Sequence, residues 1–505
     1  MRRTNRPAAA VLAALLSPTP AFADTLQQAL AEAYQTNPTI TASRAQQRGL
    51  DENVPIARAA GRPTLSTNSG FNQNLLRSGN SITNPERSVS ASAGITVPIF
   101  QGGAVRNSVR AAETRVEAGV AQLRVTEATT FTDVVAAYNN VLRDEAIVGL
   151  NTQNVRVLET NLRASRDRFE VGDLTRTDVA QSTARLALAR AQLQTAQANL
   201  IGSRETYIRL VGKAPGTLDA PPPLPQLPST SDAAVEVALG DNPALLAARK
   251  QRDATEYDIR VARAARLPQF GVTLGQNYTN FLGTLGAGQG FSTRQSGTAT
   301  TTGLTFSLPL FQGGRPAAQI RQAQAQRSQA IEQATAAERQ VIANARSAYA
   351  TWRSSEQVIQ SAQSAVEANR LSLEGVRAEN SVGTRTILDI LNAEQELLNS
   401  QVTLVTARRD SYVAGFALLA AMGQAEAADL GLEGGPLYDP SVNFQRVRNR
   451  ISDFYTDEAP VEVAPSTRSI PAQDATVTKP LDPVLDQPVD RNPADPETRQ
   501  SGTRP

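Results

Sequence analysis

Hydrophobic positions along the chain fall into two kinds of pattern, and each kind occurs twice. From about residue 103 to 170, and again from about 314 to 380, spaced Ala, Val, Leu and Ile are separated by Gln, Arg and Glu. Such spacing predicts long helices with a narrow apolar stripe of the coiled-coil type. A helix of about 68 residues would span about 100 Å. With so narrow a stripe, neighbouring helices must supply the packing. Each long pattern breaks at a Val-Gly pair and resumes as far as Gly212 or Gly423. Shorter helical patterns cover about 25–60 and 232–265, both ending before a proline, Pro63 or Pro268. Strands lie between the short and long helices. In one, Val89, Ala91, Ala93, Ile95, Val97 and Ile99 make an apolar face, and Ser88, Ser90, Ser92, Gly94 and Thr96 a small polar one. In another, Thr302, Leu304, Phe306, Leu308 and Leu310 alternate with Thr301, Gly303, Thr305 and Ser307. Weaker alternation runs through Leu65, Thr67 and Phe71, and through Phe270, Val272, Leu274 and Tyr278. One face of each strand therefore meets an apolar medium and the other meets water. A globular sandwich and an outer-membrane barrel both satisfy that pattern.

The twofold occurrence is a duplication. Pro98-Ile99-Phe100-Gln101-Gly102-Gly103 returns as Pro309-Leu310-Phe311-Gln312-Gly313-Gly314 at an offset of 211 residues. Tyr138 and Tyr349, Val171-Gly172 and Val382-Gly383, Thr175 and Thr386, Asp178 and Asp389, and Gly212 and Gly423 keep the same offset. Asn37-Pro38 matches Asn242-Pro243, and Pro63 matches Pro268, at an offset of 205 residues. Each repeat reads helix, strand, strand, long helix, helix. The expected units are 24–212, with a hairpin at about 63–99, and 232–423, with a hairpin at about 268–310.

Composition narrows the function. The chain has 505 residues with no Cys and no His, which removes disulfides, thiolate and imidazole metal sites and every His-dependent triad. Carboxylate-only hydrolysis is the catalytic class that remains, and no pair of acids is placed by a recognisable scaffold. We therefore expect no enzyme, no cofactor and no metal. Lys and Arg number 50 against 48 Asp and Glu, so no net field selects nucleic acid.

The first 23 residues read as an export signal: Arg2, Arg3 and Arg6, an apolar run from Ala8 to Leu16, and a small-residue cleavage site at Ala21-Phe22-Ala23. Removing them leaves 47 basic against 48 acidic residues. No later stretch reaches the about 18–20 consecutive apolar residues of a spanning helix. Residues 213–231, with Pro221-Pro222-Pro223, read as an extended Pro-rich linker. From Asp457 the tail has nine prolines in 49 residues, which predicts a disordered, dispensable segment over 457–505.

If the strands face lipid, four cannot close a barrel, because an open edge leaves backbone groups unpaired and small membrane barrels need at least about eight strands. Oligomerisation is required. A trimer would have twelve strands; the strands alone would also allow a dimer.

The duplicated helix–hairpin–helix units, the Phe-Gln-Gly-Gly turns and the Val-Gly tips together resemble the TolC family of outer-membrane efflux proteins, over about residues 25–423. The most specific part is Ser381-Val382-Gly383-Thr384-Arg385-Thr386-Ile387-Leu388-Asp389-Ile390-Leu391, close to the family's tip sequence. The resemblance implies a homotrimer: a twelve-stranded barrel in the lipid of the bacterial outer membrane continuing into a periplasmic α-helical tunnel. Such a duct serves an inner-membrane ABC or proton-driven transporter through a periplasmic membrane-fusion adaptor, in drug efflux or type I secretion. It also implies a pore gate at Asp389 and Asn392, where the family usually has a second acid at the latter position. Closing links between protomers would come from Arg385, Thr177 and Asp178, with Asn380 replacing a tyrosine of that network. Val171, Gly172, Val382 and Gly383 would meet the adaptor, and residues 424–456 would form a waist around the tunnel. Gly102, Gly103, Gly313 and Gly314 would turn the strands into helices.

Other readings compete. Thr175 with Asp178, and Thr386 with Asp389, fit simple helix caps, and the tip glycines fit plain turns. A trimeric coiled-coil adhesin or another structural envelope protein would also combine long helices with a barrel. An adhesin, however, carries its strands at the carboxyl terminus, whereas here they form two internal hairpins.

Overall fold

The computed structural model describes residues 24–76, 85–286, 294–432, 437–483 and 485–486. The proposed export signal lies outside them. The elements run α1 Leu26–Thr36, α2 Pro38–Asp51, α3 Asn53–Ala59, β1 Thr64–Gln73, β2 Arg87–Gln101, α4 Ala104–Glu170 and α5 Arg176–Val211. The second repeat follows as α6 Ser231–Asp241, α7 Pro243–Ala264, β3 Gln269–Asn280, β4 Ser296–Ser307, α8 Arg315–Ser381 and α9 Ile387–Met422, with α10 Pro440–Val447 after it. Among the described residues, no helix is long and apolar enough to cross a membrane.

The four strands form one antiparallel sheet in the order β1-β2-β3-β4. Its register places Leu65, Ile95 and Leu274 on one rung, and Val97, Val272 and Leu304 on another. Phe270 opposes Phe306, with ring centres 4.8 Å apart. Ser66, Gly94, Gly275 and Thr301 share a rung of the opposite face. The sheet is thus apolar on one side and small and polar on the other, and both sides are open in the single chain. Leu65, Phe270, Leu304 and Phe306 are all exposed.

The repeats differ where β2 and β4 end. The alternating pattern extends to Leu310, yet β4 stops at Ser307, so Leu308 and Leu310 fall beyond the strand. Pro309 explains the difference. Proline offers no donor to a ladder and is tolerated at an edge or a bulge. Pro98, its counterpart, is held because β3 continues to pair with β2 beyond the end of the β1 ladder at Thr96, with a register shift between Pro98 and Phe100. β4 pairs only with β3, so nothing carries the strand past its proline.

The expected short helices are broken at the Asn-Pro pairs, and the same bonds explain both breaks. Asn37 caps α2 through Thr39 N and donates to Leu210 O at 2.8 Å. Asn242 caps α7 and donates to Ala421 O at 2.9 Å. Each proline then occupies the first helical turn, where its missing N–H costs nothing. The repeated tyrosines are equivalent too. Tyr138 donates between Asp24 O and Asp219 O, and Tyr349 donates to Ser229 O. The main core forms where α1, α4, α5 and α9 meet, around Phe131, Tyr138, Leu200, Tyr207 and Leu418.

Leu224 and Leu227 of the Pro-rich linker pack against that core. In the segment after Gly423, Glu426 pairs with Arg124, Asn443 donates to buried Asp51, and Phe444 packs beside Val54 and Val116.

The tail departs from expectation. Residues 473–483 and 485–486 are bound to the helices rather than disordered: Leu485 is buried, and Arg204 donates to the carbonyls of Asp474 and Thr476. Proline-rich chain lacks hydrogen bonds of its own, so its carbonyls are free for side chains already fixed on helices. Residues 487–505 lie outside the described residues.

Gly102, Gly103, Gly313 and Gly314 all have positive φ at the strand-to-helix turns. A Cβ at Gly102 would lie 2.8 Å from Ala264 O and 2.8 Å from Leu267 Cβ, whereas Gly313 has open space around it. We expect Gly313→Ala to cost about 1–2 kcal/mol for the left-handed backbone alone. Gly102→Ala should cost about 1–3 kcal/mol more, because it also pushes α7 away from the turn. Thermal denaturation of the two variants in detergent tests this, and equal losses would refute the close approach.

Candidate functional site at the helical tips

The two helical hairpins end in turns of the same construction. After α4, Gly172 N donates to Phe169 O at 3.0 Å and Asp173 N to Arg168 O at 2.9 Å. After α8, Gly383 N donates to Asn380 O at 3.0 Å and Thr384 N to Glu379 O at 3.1 Å. Both glycines have positive φ, and the valines before them are 80% and 74% exposed, at Val171 and Val382. Each tip therefore presents a bare apolar side chain at its end.

The next helices begin with reciprocal caps. Thr175 Oγ1 accepts from Asp178 N, and Asp178 Oδ2 accepts from Thr175 N at 2.9 Å. Thr386 and Asp389 repeat the arrangement, with Asp389 Oδ2 accepting from Thr386 N at 2.9 Å. Bonds from the Thr386 backbone and hydroxyl hold the Asp389 carboxyl below its ordinary value. For Asp178 the Thr175 hydroxyl and then the backbone do the same. The folded pKa values are lowered, so the caps contribute fully above the unfolded carboxylate range and lose that contribution as pH falls through the folded values. The capping reading of these four residues is thus realised within one chain. It is compatible with a further role at an axis, because each carboxylate stays ionised.

Arg385 is engaged locally. Its Nε donates to Glu379 Oε2 at 2.7 Å, and its carbonyl accepts from Asn380 Nδ2 at 2.7 Å. Thr177 is exposed on α5. Among the described residues no hydrogen bond joins Arg385 to Thr177 or Asp178 within the chain. Asn392 Oδ1 accepts from Arg185 Nη2 at 2.7 Å, tying α9 to α5 across the repeats.

A further residue did not stand out in the sequence. Glu394, two positions beyond Asn392, is buried, and both its oxygens accept from Asn161 Nδ2 at 3.0 Å. Arg377 Nη2 completes the group at 3.1 Å. One carboxylate thus joins α4, α8 and α9. Burial raises its pKa, and Arg377 opposes the rise. Just below, Ile387 and Leu391 pack against Leu158, Leu162 and Leu186, so the start of α9 is seated on the first hairpin. The available signal was a charge inside the apolar stripe, three residues after Leu391 and three before Leu397. Among the described residues, no group of three or more acids is placed to hold a metal.

The outer membrane efflux protein family model matches residues 29–213 and 234–424, the two repeats and nothing between them. The chain belongs to the outer membrane efflux protein family. It is 33% identical over 445 residues to the outer membrane efflux protein BepC of Brucella suis biovar 1, covering 88% of this chain and 95% of that protein. It is 28% identical over 464 residues to the outer membrane protein TolC of Escherichia coli K12, covering 88% of this chain and 93% of TolC. The fold is also that of the Campylobacter jejuni CmeC outer membrane channel, with a TM-score of 0.69 and 16% identity over 85% of this chain and 90% of that one. The protein is an outer-membrane exit duct with a periplasmic helical tunnel, in a family of channels that work with pumps and secretion systems.

Glu394→Ala should strand Arg377 and Asn161 and cost about 2–3 kcal/mol. That lies below the about 3–5 kcal/mol of a fully buried pair, because Arg377 reaches water. Glu394→Gln keeps an acceptor and should cost less. Hydrogen–deuterium exchange over residues 387–398 reads this directly: faster exchange in the Ala variant is expected, and wild-type protection would dismiss the bridge as a determinant of α9.

Proposed function

We propose that three copies of the chain assemble into one duct, closing a twelve-stranded barrel in outer-membrane lipid. The observation that supports this is the sheet. Its apolar face is exposed, and its edge strands β1 and β4 have no outer neighbours among the described residues of the single chain. In lipid, backbone groups on such edges must be paired, and a β1-to-β4 contact between copies pairs both. Ser, Thr, Gly and Asn on the other face would line the barrel.

The tips form the periplasmic end of the duct. Three copies of Asp389 near the axis repel one another and favour a bound cation or relief by opening. Arg385 opposes opening by leaving Glu379 for Thr177 or Asp178 of the neighbouring copy. Asn392, already bound by Arg185, adds a polar but uncharged ring. The exposed Val171 and Val382 beside Gly172 and Gly383 receive a periplasmic membrane-fusion adaptor, which joins the duct to an inner-membrane ABC or proton-driven transporter. Small polar lining suits passive conduction of many solutes, in efflux or in type I secretion.

Two measurements test this reading. Native mass analysis of the detergent-solubilised protein should give a trimer, and a monomer or dimer with the barrel intact would remove the architecture. In planar bilayers, Asp389→Ala should weaken cation block, and Arg385→Ser should raise resting conductance. If both variants conduct and block like wild type, these residues serve as caps and local ion pairs only.

A further inference from the structure

The docked tail runs across both repeats. Gln473 N donates to Glu205 Oε1 at 3.4 Å, and Arg204 of α5 holds the carbonyls of Asp474 at 2.8 Å and Thr476 at 3.0 Å. The same guanidinium pairs with Glu145 of α4 and is 12% exposed, so this anchor is a partly buried charge bridge. Lys479 Nζ then donates to Leu218 O at 2.9 Å. Leu481 lies directly on Gly149 of α4, where a Cβ would come within 2.7 Å of its Cδ2. Asp482 accepts from Arg408 of α9 at 2.9 Å, and Gln401 of α9 donates to Leu485 O at 3.0 Å. Leu485 is 2% exposed, among Leu150 of α4 and Leu397, Leu398 and Leu404 of α9. Asp486 returns to α4 through Gln153 at 3.1 Å.

We propose that residues 473–483 and 485–486 form a strap that ties α9 of the second hairpin to α4 and α5 of the first, and so holds the tunnel tip in its resting state. The inference rests on the reading of the tip as a gate. The strap crosses α4 about 30 Å and α9 about 20 Å from their tip ends, at about 1.5 Å per residue. Moving α9 outward on α4 must therefore either pull Leu485 from its pocket or break the Arg408 and Gln401 bonds. Below the strap, the hairpins are linked by the Glu394 bridge, the Arg185–Asn392 bond and the Leu391 contact, all close to the tip. Further up, the strap acts beside a direct bond from Arg409 of α9 to Asn140 of α4 at 2.8 Å. Gly149 is the residue that admits the strap, since any side chain there occupies the place of Leu481.

The test uses the absence of cysteine from the chain. In Gly149→Cys with Leu481→Cys, the Cβ at 149 lies 3.1 Å from the place of Leu481 Cγ, where a cysteine sulfur would sit, so a disulfide can form and lock the strap when oxidised. A stop in place of Gln473 removes the strap, and Gly149→Ala displaces it while favouring the helix. In planar bilayers, the truncated trimer and Gly149→Ala should show several-fold higher resting conductance than wild type. The oxidised cysteine pair should stay at or below wild type and rise when reductant is added. Arg385→Ser, measured alongside, reports on the gate itself. If Arg385→Ser raises conductance while truncation, Gly149→Ala and reduction of the pair change nothing, the strap has no role in closure and the gate reading survives. If Arg385→Ser also changes nothing, the gate reading fails with it. Should the truncated chain not assemble, the cysteine pair decides the matter alone.

Discussion

Backbone that enters lipid must be hydrogen-bonded within protein, and a sheet of four strands leaves two of its rows unmet. The shape of the chain follows from that requirement. The strands lie in chain order across the sheet, with four helices between β2 and β3, so β1 and β4 become the outer edges and can pair with copies of each other. Each hairpin must hand over to a helix at the membrane boundary without exposing further backbone, and the paired glycines with positive φ make that turn. The two long helices then carry the path away from the membrane. No globular core could serve this purpose, because the interior has to remain open.

The repeats share a plan but divide the packing unequally. α4 is the centre of the protomer: it touches α5, α7 and α9 and buries Phe131, Tyr138 and Leu150. α8 packs chiefly against α9 and α7, and its buried side chains are mostly alanines and valines in a single file. The same contrast appears at the turns, where Gly102 is packed against α7 and Gly313 is free. Duplication supplied two equivalent halves. Placing one at the inside of the protomer and one at its margin allowed Pro98 to be absorbed by a bulge while Pro309 ends its strand.

Much of this was legible locally. Period-2 alternation located the strands, since each residue's face depends only on its neighbours, and the Thr-x-x-Asp caps involve partners three residues apart; the Asn-Pro breaks, tied to Leu210 O and Ala421 O, do not show in the local pattern. What escaped the sequence depends on surfaces far away in the chain. The tail reads as disordered because its own composition buries little, yet Arg204 and Gln401 supply bonds to tail carbonyls that any sequence would present. Proline content predicts the absence of regular structure, and it does not predict the absence of a binding groove. At the tips, the candidate residues fall on the turns as expected, but Arg385 sits on Glu379 in the single chain, so the bonds proposed for it between copies would belong to the assembly rather than to the fold.

Glu394 belongs to a wider pattern that narrow apolar stripes impose. Helices packed through alanine and valine can slide past one another at little cost, because one small side chain resembles the next. Buried polar groups remove that freedom, since each is costly unless it meets its own partner. The chain places such groups at successive levels. Glu127 lies beside Arg44 and Arg124 near the waist, Asp144 and Glu145 meet Ser203 and Arg204 lower down, and Glu394 meets Asn161 and Arg377 near the tip. Burial raises Glu127 to about 7, so at that level the folded chain keeps a proton that the unfolded chain would release. Its contribution to stability therefore grows as pH falls from about 7 towards the ordinary carboxylate range, opposite in sign to the caps at the tips. Links of this kind set helix register in the resting duct. They are also the contacts that a sliding motion can exchange for water, which apolar packing cannot do without exposing surface. A tunnel built to open needs its specificity in that form.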